Sequence, residues 1–342
     1  MSLLTINQVC MVVSVGIVGS GWAAGMHVRC LLENPNAELV ALADVSKAEG
    51  MVFAKRYRIP KFYENPEKLF EDPDVEAVYI TSPPKFHASQ AIAALQHGKH
   101  VFSEKPPAIS LEEMEKLTEI VEKTGLIYQI GFNRRFWPVY KKLKSLVETG
   151  KLKPYVVDIK MVRGEMERPP WTKLIEVSGG FLYDSMIHVL DLSKWILGMP
   201  ETIRCVARRN IYPHFDGFII LIEFSNEEKT IESITSVGHA SWAYPFERIE
   251  IYGDHSSAIT EESFKLTFSH GRGDVPNIEV YQFTKLPEHV AWGFKEEGDL
   301  FIEAIVKGLK PAVTVLDAYD SVKLVESCYQ SLKHNGRVIT FT

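Results

Sequence analysis

Short apolar runs alternate with helical stretches through the first third of the chain. The runs fall at 12–18, 38–43, 75–81, 100–103 and 126–131, and their apolar residues do not confine themselves to every second position. Helical spacing occupies 22–33, 46–57, 66–71, 86–97 and 110–124, the last opening on Ser110 and Glu113, a capping-box pair. Strands apolar on both faces with helices between them predict a parallel sheet covered on both sides.

Past residue 133 the rhythm changes. A helix is expected near 138–149. Strand-like stretches follow at 154–165, 202–210, 217–224, 229–238, 246–252, 257–268 and 277–284, interrupted by one strongly apolar helix at 181–197. Two helices, 293–308 and 315–334, and a short strand over 337–341 close the chain. Runs of strands without regular helices predict an α+β domain on a large, mostly antiparallel, open-faced sheet. The division is placed at 132/133: an α/β domain over 1–132 and the α+β domain over 133–342. No internal repeat or low-complexity linker separates them, so the two are expected to pack closely.

Charge and composition narrow the partners. The chain has 342 residues, a net charge of -6 and no long Lys/Arg run, which argues against nucleic acid. The cluster Lys141-Lys142-Leu143-Lys144 reads as a solvated helix face. Cys10, Cys30, Cys205 and Cys328 are scattered without CxxC spacing, so reduced thiols in a cytoplasmic protein are expected, and neither a disulfide framework nor a zinc cluster. No apolar run approaches the ~18 residues of a membrane span. Residues 1–10 precede the first strand as an extension, with Met11 a candidate functional start.

The first apolar run ends in Gly19-Ser20-Gly21-Trp22-Ala23-Ala24, a GxGxxA pattern between strand and helix. Gly19 suits the tight turn, Gly21 lets backbone approach a pyrophosphate, and small Ala24 lets helix and strand pack closely. The helix N-terminus adds free N–H groups for the anion. A second strand ends at Asp44, 20 residues beyond Ala24, the spacing of an acid that accepts from adenosine ribose hydroxyls. The loop is therefore expected to hold NAD, with NADP as the alternative because Lys47 lies nearby.

Two more stretches lie where strands end: Ser82-Pro83-Pro84-Lys85-Phe86-His87, and Glu104-Lys105-Pro106. They resemble the TPNxxH loop and the Glu-Lys-Pro signature of the Gfo/Idh/MocA oxidoreductases, and His27 suits that family's GxGxxGxxH opening. Gly131-Phe132-Asn133-Arg134-Arg135-Phe136 is similar to its GFxxRF segment. Gly179 to His188 is similar to GGxLxDxGxH, with Met186 where many members have Gly. The resemblance covers most of the chain in order. It implies a Rossmann domain carrying NAD or NADP, with Gly19, Ser20, Gly21, Trp22, Ala23, Asp44, Ser82, Pro83, His87, Glu104 and Lys105 around the cofactor. It also implies an open-faced sheet domain and catalytic Lys105, Asp184 and His188. The substrate it implies is a secondary alcohol or ketone of a sugar or cyclitol.

The residues themselves allow this. On a regular helix Asp184, His188, Asp191 and Trp195 fall within about 60° of one another on an otherwise apolar segment. Such a stripe is either a buried hydrogen-bond network or the lining of a cavity. A neutral imidazole, ordinarily titrating near 6.5, can take a hydroxyl proton. Asp184 would orient substrate or imidazole, and Lys105 would stabilise negative charge developing on the reacting oxygen. Without HExxH or a Cys/His cluster, no metal is expected. Arg134, Arg135 and Trp137 could reach the cleft, and Tyr244 could bind a substrate hydroxyl or pack in the core. The regulator alternative, a dinucleotide sensor without turnover, remains open. Alternation in Phe218-Ile219-Ile220-Leu221-Ile222 and Ile249-Glu250-Ile251 predicts a covered sheet, by helices or by a second copy in a homodimer or homotetramer.

Overall fold

The computed structural model describes residues 11–162, 169–241, 246–273 and 275–341. The calls on residues 1–10 and on Tyr244 lie outside these. Six strands form the first sheet: β1 (Val13–Val18), β2 (Ala37–Ala43), β3 (Lys61–Tyr63), β4 (Ala77–Ile80), β5 (His100–Glu104) and β6 (Tyr128–Gly131). All pair in parallel, in the order β3-β2-β1-β4-β5-β6. β4 is buried throughout and β1 nearly so, as runs without alternation require. β3 has no counterpart in the sequence reading; three half-buried residues carry no readable period.

The second sheet has nine strands: β7 (Pro154–Val162), β8 (Thr202–Arg208), β9 (Gly217–Glu223), β10 (Ile231–Val237), β11 (Glu247–Gly253), β12 (Ser256–Glu261), β13 (Lys265–His270), β14 (Asn277–Gln282) and β15 (Ile339–Thr340). Among the described residues of this sheet only the β7–β10 pair is parallel. The stretch read as one strand over 257–268 is a hairpin, β12 and β13. Its turn bends at Glu262 with φ +53°, in a segment lacking the Gly, Pro or Asn that usually announces a turn.

One face of this sheet packs against the helices Ile187–Leu197 and Val315–Lys333. Phe218, Ile220 and Ile222 of β9 point into that core, while Ile219 and Leu221 are 54% and 50% exposed on the opposite face. Val206, Ile231, Val156 and Tyr252 share that exposed side. Among the described residues the helices therefore cover one face only.

The helix Phe294–Lys307 does not stay with the second sheet. It returns to the first, where Phe301 sits edge-on to Tyr79 and Phe102, and lies beside the helix Trp22–Leu32. No helix among the described residues is long and apolar enough to cross a membrane.

Candidate active site

The strand order reverses between β1 and β4, and the loops after the parallel strands meet at that edge, the place where open α/β sheets bind ligands. Gly19 turns out of β1 with φ +97°, and a Cβ there would stand 2.9 Å from the Thr81 carbonyl oxygen at the end of β4. Its glycine is thus demanded by the fold. Gly21 differs. It caps the helix Trp22–Leu32 at φ -75°, and a Cβ on it would meet nothing within 4 Å. Nothing in the protein itself asks for a bare backbone at Gly21, whereas a pyrophosphate at the helix N-terminus does, so these residues fit a dinucleotide.

At the end of β2, Asp44 accepts from the Ser20 hydroxyl at 2.5 Å and from the Ser46 N–H at 2.7 Å. One carboxylate oxygen is thereby tied to the glycine loop and the other to the next helix. Trp22 is 58% exposed beside Ala23, its ring edge-on to Trp292 and Phe294. Ser82 gives its hydroxyl to Gln90, followed by Pro83. His87 is buried, with its ring nitrogens 2.6 Å from the Ser82 carbonyl and 2.8 Å from that of Pro106. It joins the loops after β4 and β5 and faces no open cleft. Burial pushes its pKa down, although both carbonyls pull the other way.

The Glu104-Lys105-Pro106 stretch leaves β5. Glu104 is buried; that alone would raise its carboxyl, but the hydrogen bond and charge of His27, with Lys105 and His87, bring it below its ordinary value. Lys105 Nζ donates to the main-chain carbonyl of Asp184 at 2.5 Å. This contact joins the first domain to the apolar helix of the second. That helix is not regular. Leu182–Met186 forms a wide π-type turn, and the α-helix runs from Ile187 to Leu197. The even 100° spacing assumed from the sequence therefore fails between Asp184 and His188. Such turns recur at functional sites because they redirect carbonyls and side chains. Asp184 and His188 are buried, Asp184 accepts from the Ser185 hydroxyl at 2.8 Å, and the His188 ring stands edge-on to Phe132.

The lower part of the stripe has another use. Asp191 takes the Arg135 guanidinium in a fork, at 2.7 and 2.6 Å, and the Ser321 hydroxyl at 2.8 Å. Arg135 also pairs with Asp317, whose carboxyl burial would raise but Arg135, Thr314 and Lys194 bring down to about 2. Arg134 forks onto buried Glu247, which also accepts from Tyr140. Trp137 is buried, stacked on Tyr140, and donates to the Trp292 carbonyl. All three side chains thus have partners within the second domain. The sequence pattern carried no signal for these pairings, 56 to 182 residues apart.

Comparison with known proteins agrees with this fold. Residues 13–132 match the family model described as an oxidoreductase family with an NAD-binding Rossmann fold, and 144–340 match its C-terminal alpha/beta domain. The chain belongs to the Gfo/Idh/MocA oxidoreductase family. This oxidoreductase is 35% identical to scyllo-inositol 2-dehydrogenase (NAD(+)) of Bacillus subtilis, over 88% of this chain and 89% of that one. It is 28% identical to myo-inositol 2-dehydrogenase of Thermotoga maritima, over 95% and 97%. Levoglucosan dehydrogenase, solved with NADH and L-sorbose, shares the fold at a TM-score of 0.89 and 19% identity, covering 97% of this chain and 99% of that one. The chain is accordingly an oxidoreductase with an NAD-binding Rossmann domain.

Proposed function

We propose that this oxidoreductase uses NAD to interconvert a secondary alcohol and a ketone on a cyclitol, with a sugar as the second substrate class. The observation that carries the reading is the Lys105–Asp184 contact, which sets the end of β5, beside the glycine loop, against the helix turn leading to His188. The inositol-acting relatives of similar length support the cyclitol class. Asp44, a carboxylate that accepts hydrogen bonds from hydroxyls, supports NAD, since a 2′-phosphate there would meet its negative charge.

A bound nicotinamide dinucleotide supplies the hydride acceptor. The chain's own residues handle the proton and the charge. His188 takes the proton of the reacting hydroxyl. The Lys105 ammonium donates to the same oxygen as negative charge grows on it. Asp184 orients the ring by accepting from a neighbouring hydroxyl. We also assign the exposed face of the nine-stranded sheet to a homodimer or homotetramer contact, and the protein to the cytoplasm, with no nucleic-acid or membrane partner.

The test is a panel of inositols, other polyols and sugars with NAD and with NADP, read as absorbance at 340 nm. Turnover of an inositol with NAD is expected. Dinucleotide binding without turnover of any polyol would favour the regulator reading, and faster turnover with NADP would overturn the cofactor assignment.

A further inference from the structure

Beneath Lys105, on the face of the first sheet covered by Trp22–Leu32 and Phe294–Lys307, a polar island sits inside an aromatic shell. The His27 ring packs against Tyr79, Phe102 and Phe294 at centroid distances of 5.2, 4.9 and 5.2 Å. It is fully buried, and its Nε2 stands 2.8 Å from Glu104 Oε1. The other Glu104 oxygen accepts the Lys105 main-chain N–H at 3.2 Å. Glu297, one turn into the returning helix, is also fully buried, and neither of its carboxyl oxygens has a hydrogen-bond partner among the described residues. His27 Nδ1 and the Tyr79 hydroxyl are in the same condition. Buried polar atoms left in this way ordinarily meet an internal water.

The spacing fits one water. His27, Glu104 and Glu297 each present an atom within 4.8 Å of the other two. Glu297 is beyond direct hydrogen-bond reach of either neighbour, and two groups bridged by one tetrahedral water stand about 4.6 Å apart. Burial, and then the Glu104 charge, push the Glu297 carboxyl well above the usual carboxylate range, the direction that favours a protonated donor beside the Glu104 carboxylate. Glu104 is the acceptor opposite it. The other titratable groups around the island are Lys105 and His87 beside Glu104, and Cys30 and Asp299 beside Tyr79.

We propose that Glu297 is a positioning residue for Lys105: through one buried water it holds the Glu104 carboxylate, which in turn holds the Lys105 main chain. The inference rests on the reading of Lys105 as the group that meets the reacting oxygen. It gives the helix Phe294–Lys307 a part in the chemistry, although in the chain it lies between strands of the second sheet.

The experiment compares Glu297→Gln, Glu297→Leu and Lys105→Ala on the best substrate of the panel, with melting temperatures and a high-resolution crystal structure of the wild type. Glu297→Gln keeps a neutral donor and is expected to hold kcat within about threefold of wild type. Glu297→Leu loses the donor, and kcat is expected to fall about 10–100-fold with KM for NAD nearly unchanged. The crystal structure is expected to show a water within about 3.2 Å of Glu297 and Glu104. A folded Glu297→Leu enzyme with normal kcat overturns the proposal. So does a Glu297→Gln enzyme with a loss as large as that of Glu297→Leu, or a metal ion or no density in place of the water. If Glu297→Leu does not fold, the Gln variant and the density decide. Normal turnover by Lys105→Ala would instead overturn the reading of Lys105, a separate failure.

Discussion

Replacing Gly21 by Ala separates what the fold needs from what a ligand needs. A methyl at Gly21 meets nothing within 4 Å, and its φ of -75° suits any residue. Restricting the unfolded chain stabilises such a variant by about 0.4–1 kcal/mol. Ala is a poorer helix N-cap than Gly, which offsets a similar amount, so stability should stay within about 1 kcal/mol of wild type. Affinity should not. A methyl in the cradle pushes a pyrophosphate away from the helix N-terminus and forfeits at least one hydrogen bond to a charged group, about 1.5–3 kcal/mol, or roughly 10–100-fold in Kd for NADH. Gly19→Ala is the contrast. At φ +97° and 2.9 Å from the Thr81 carbonyl, its methyl strains the backbone, and a stability loss of about 1–3 kcal/mol is expected whether or not cofactor is present. Calorimetric NADH titration and urea unfolding on both variants check this. Unchanged NADH affinity in Gly21→Ala would falsify the assignment of that loop to a pyrophosphate. So would a destabilisation of Gly21→Ala as large as that of Gly19→Ala, since the bare backbone would then serve the fold.

Lys105→Ala should lower kcat about 10²–10³-fold and His188→Ala about 10²–10⁴-fold with NADH affinity retained; a His188→Ala enzyme of normal kcat and lowered melting temperature would make the residue structural. Asp44→Ser should narrow the preference for NAD over NADP in titrations of both, and equal binding by the wild type would remove Asp44 from that role. Burial pushes the Glu232 carboxyl up to about 8, against the hydrogen bond from Ser193. The unfolded chain ionises first, so stability should fall as pH rises from about 4.5 through 8, by at most about 5 kcal/mol, and Glu232→Gln should flatten that slope in urea unfolding at several pH values. An unaltered slope would show that Glu232 does not cause it. Leu221→Lys, on the open face, should shift sedimentation toward monomer at micromolar concentration if that face joins copies of the chain; an unchanged oligomer would place the contact elsewhere.

The architecture was legible in the sequence because its signals are local. Apolar runs such as Val13–Val18 and Ala77–Ile80, alternation such as Phe218–Ile222, the caps and the GxGxxA turn all depend on residues within a few positions of one another. The motif positions Lys105, Asp184 and His188 were legible for the same reason. Tertiary structure alone decided what these groups meet. Asp191, which shares a helical stripe with His188 in the sequence, is held by Arg135 across 56 residues, and Arg134 by Glu247 across 113. The wide turn at Leu182–Met186, the hairpin bend at Glu262 and the return of Phe294–Lys307 to the first sheet also left no local mark. Glu297 in sequence is one acid among several on a helix; in the structure it is enclosed beside Glu104. The reason is physical. Periodicity tells which face of an element is apolar, but the partner of a buried charge is settled only when distant elements enclose it and water can no longer satisfy it.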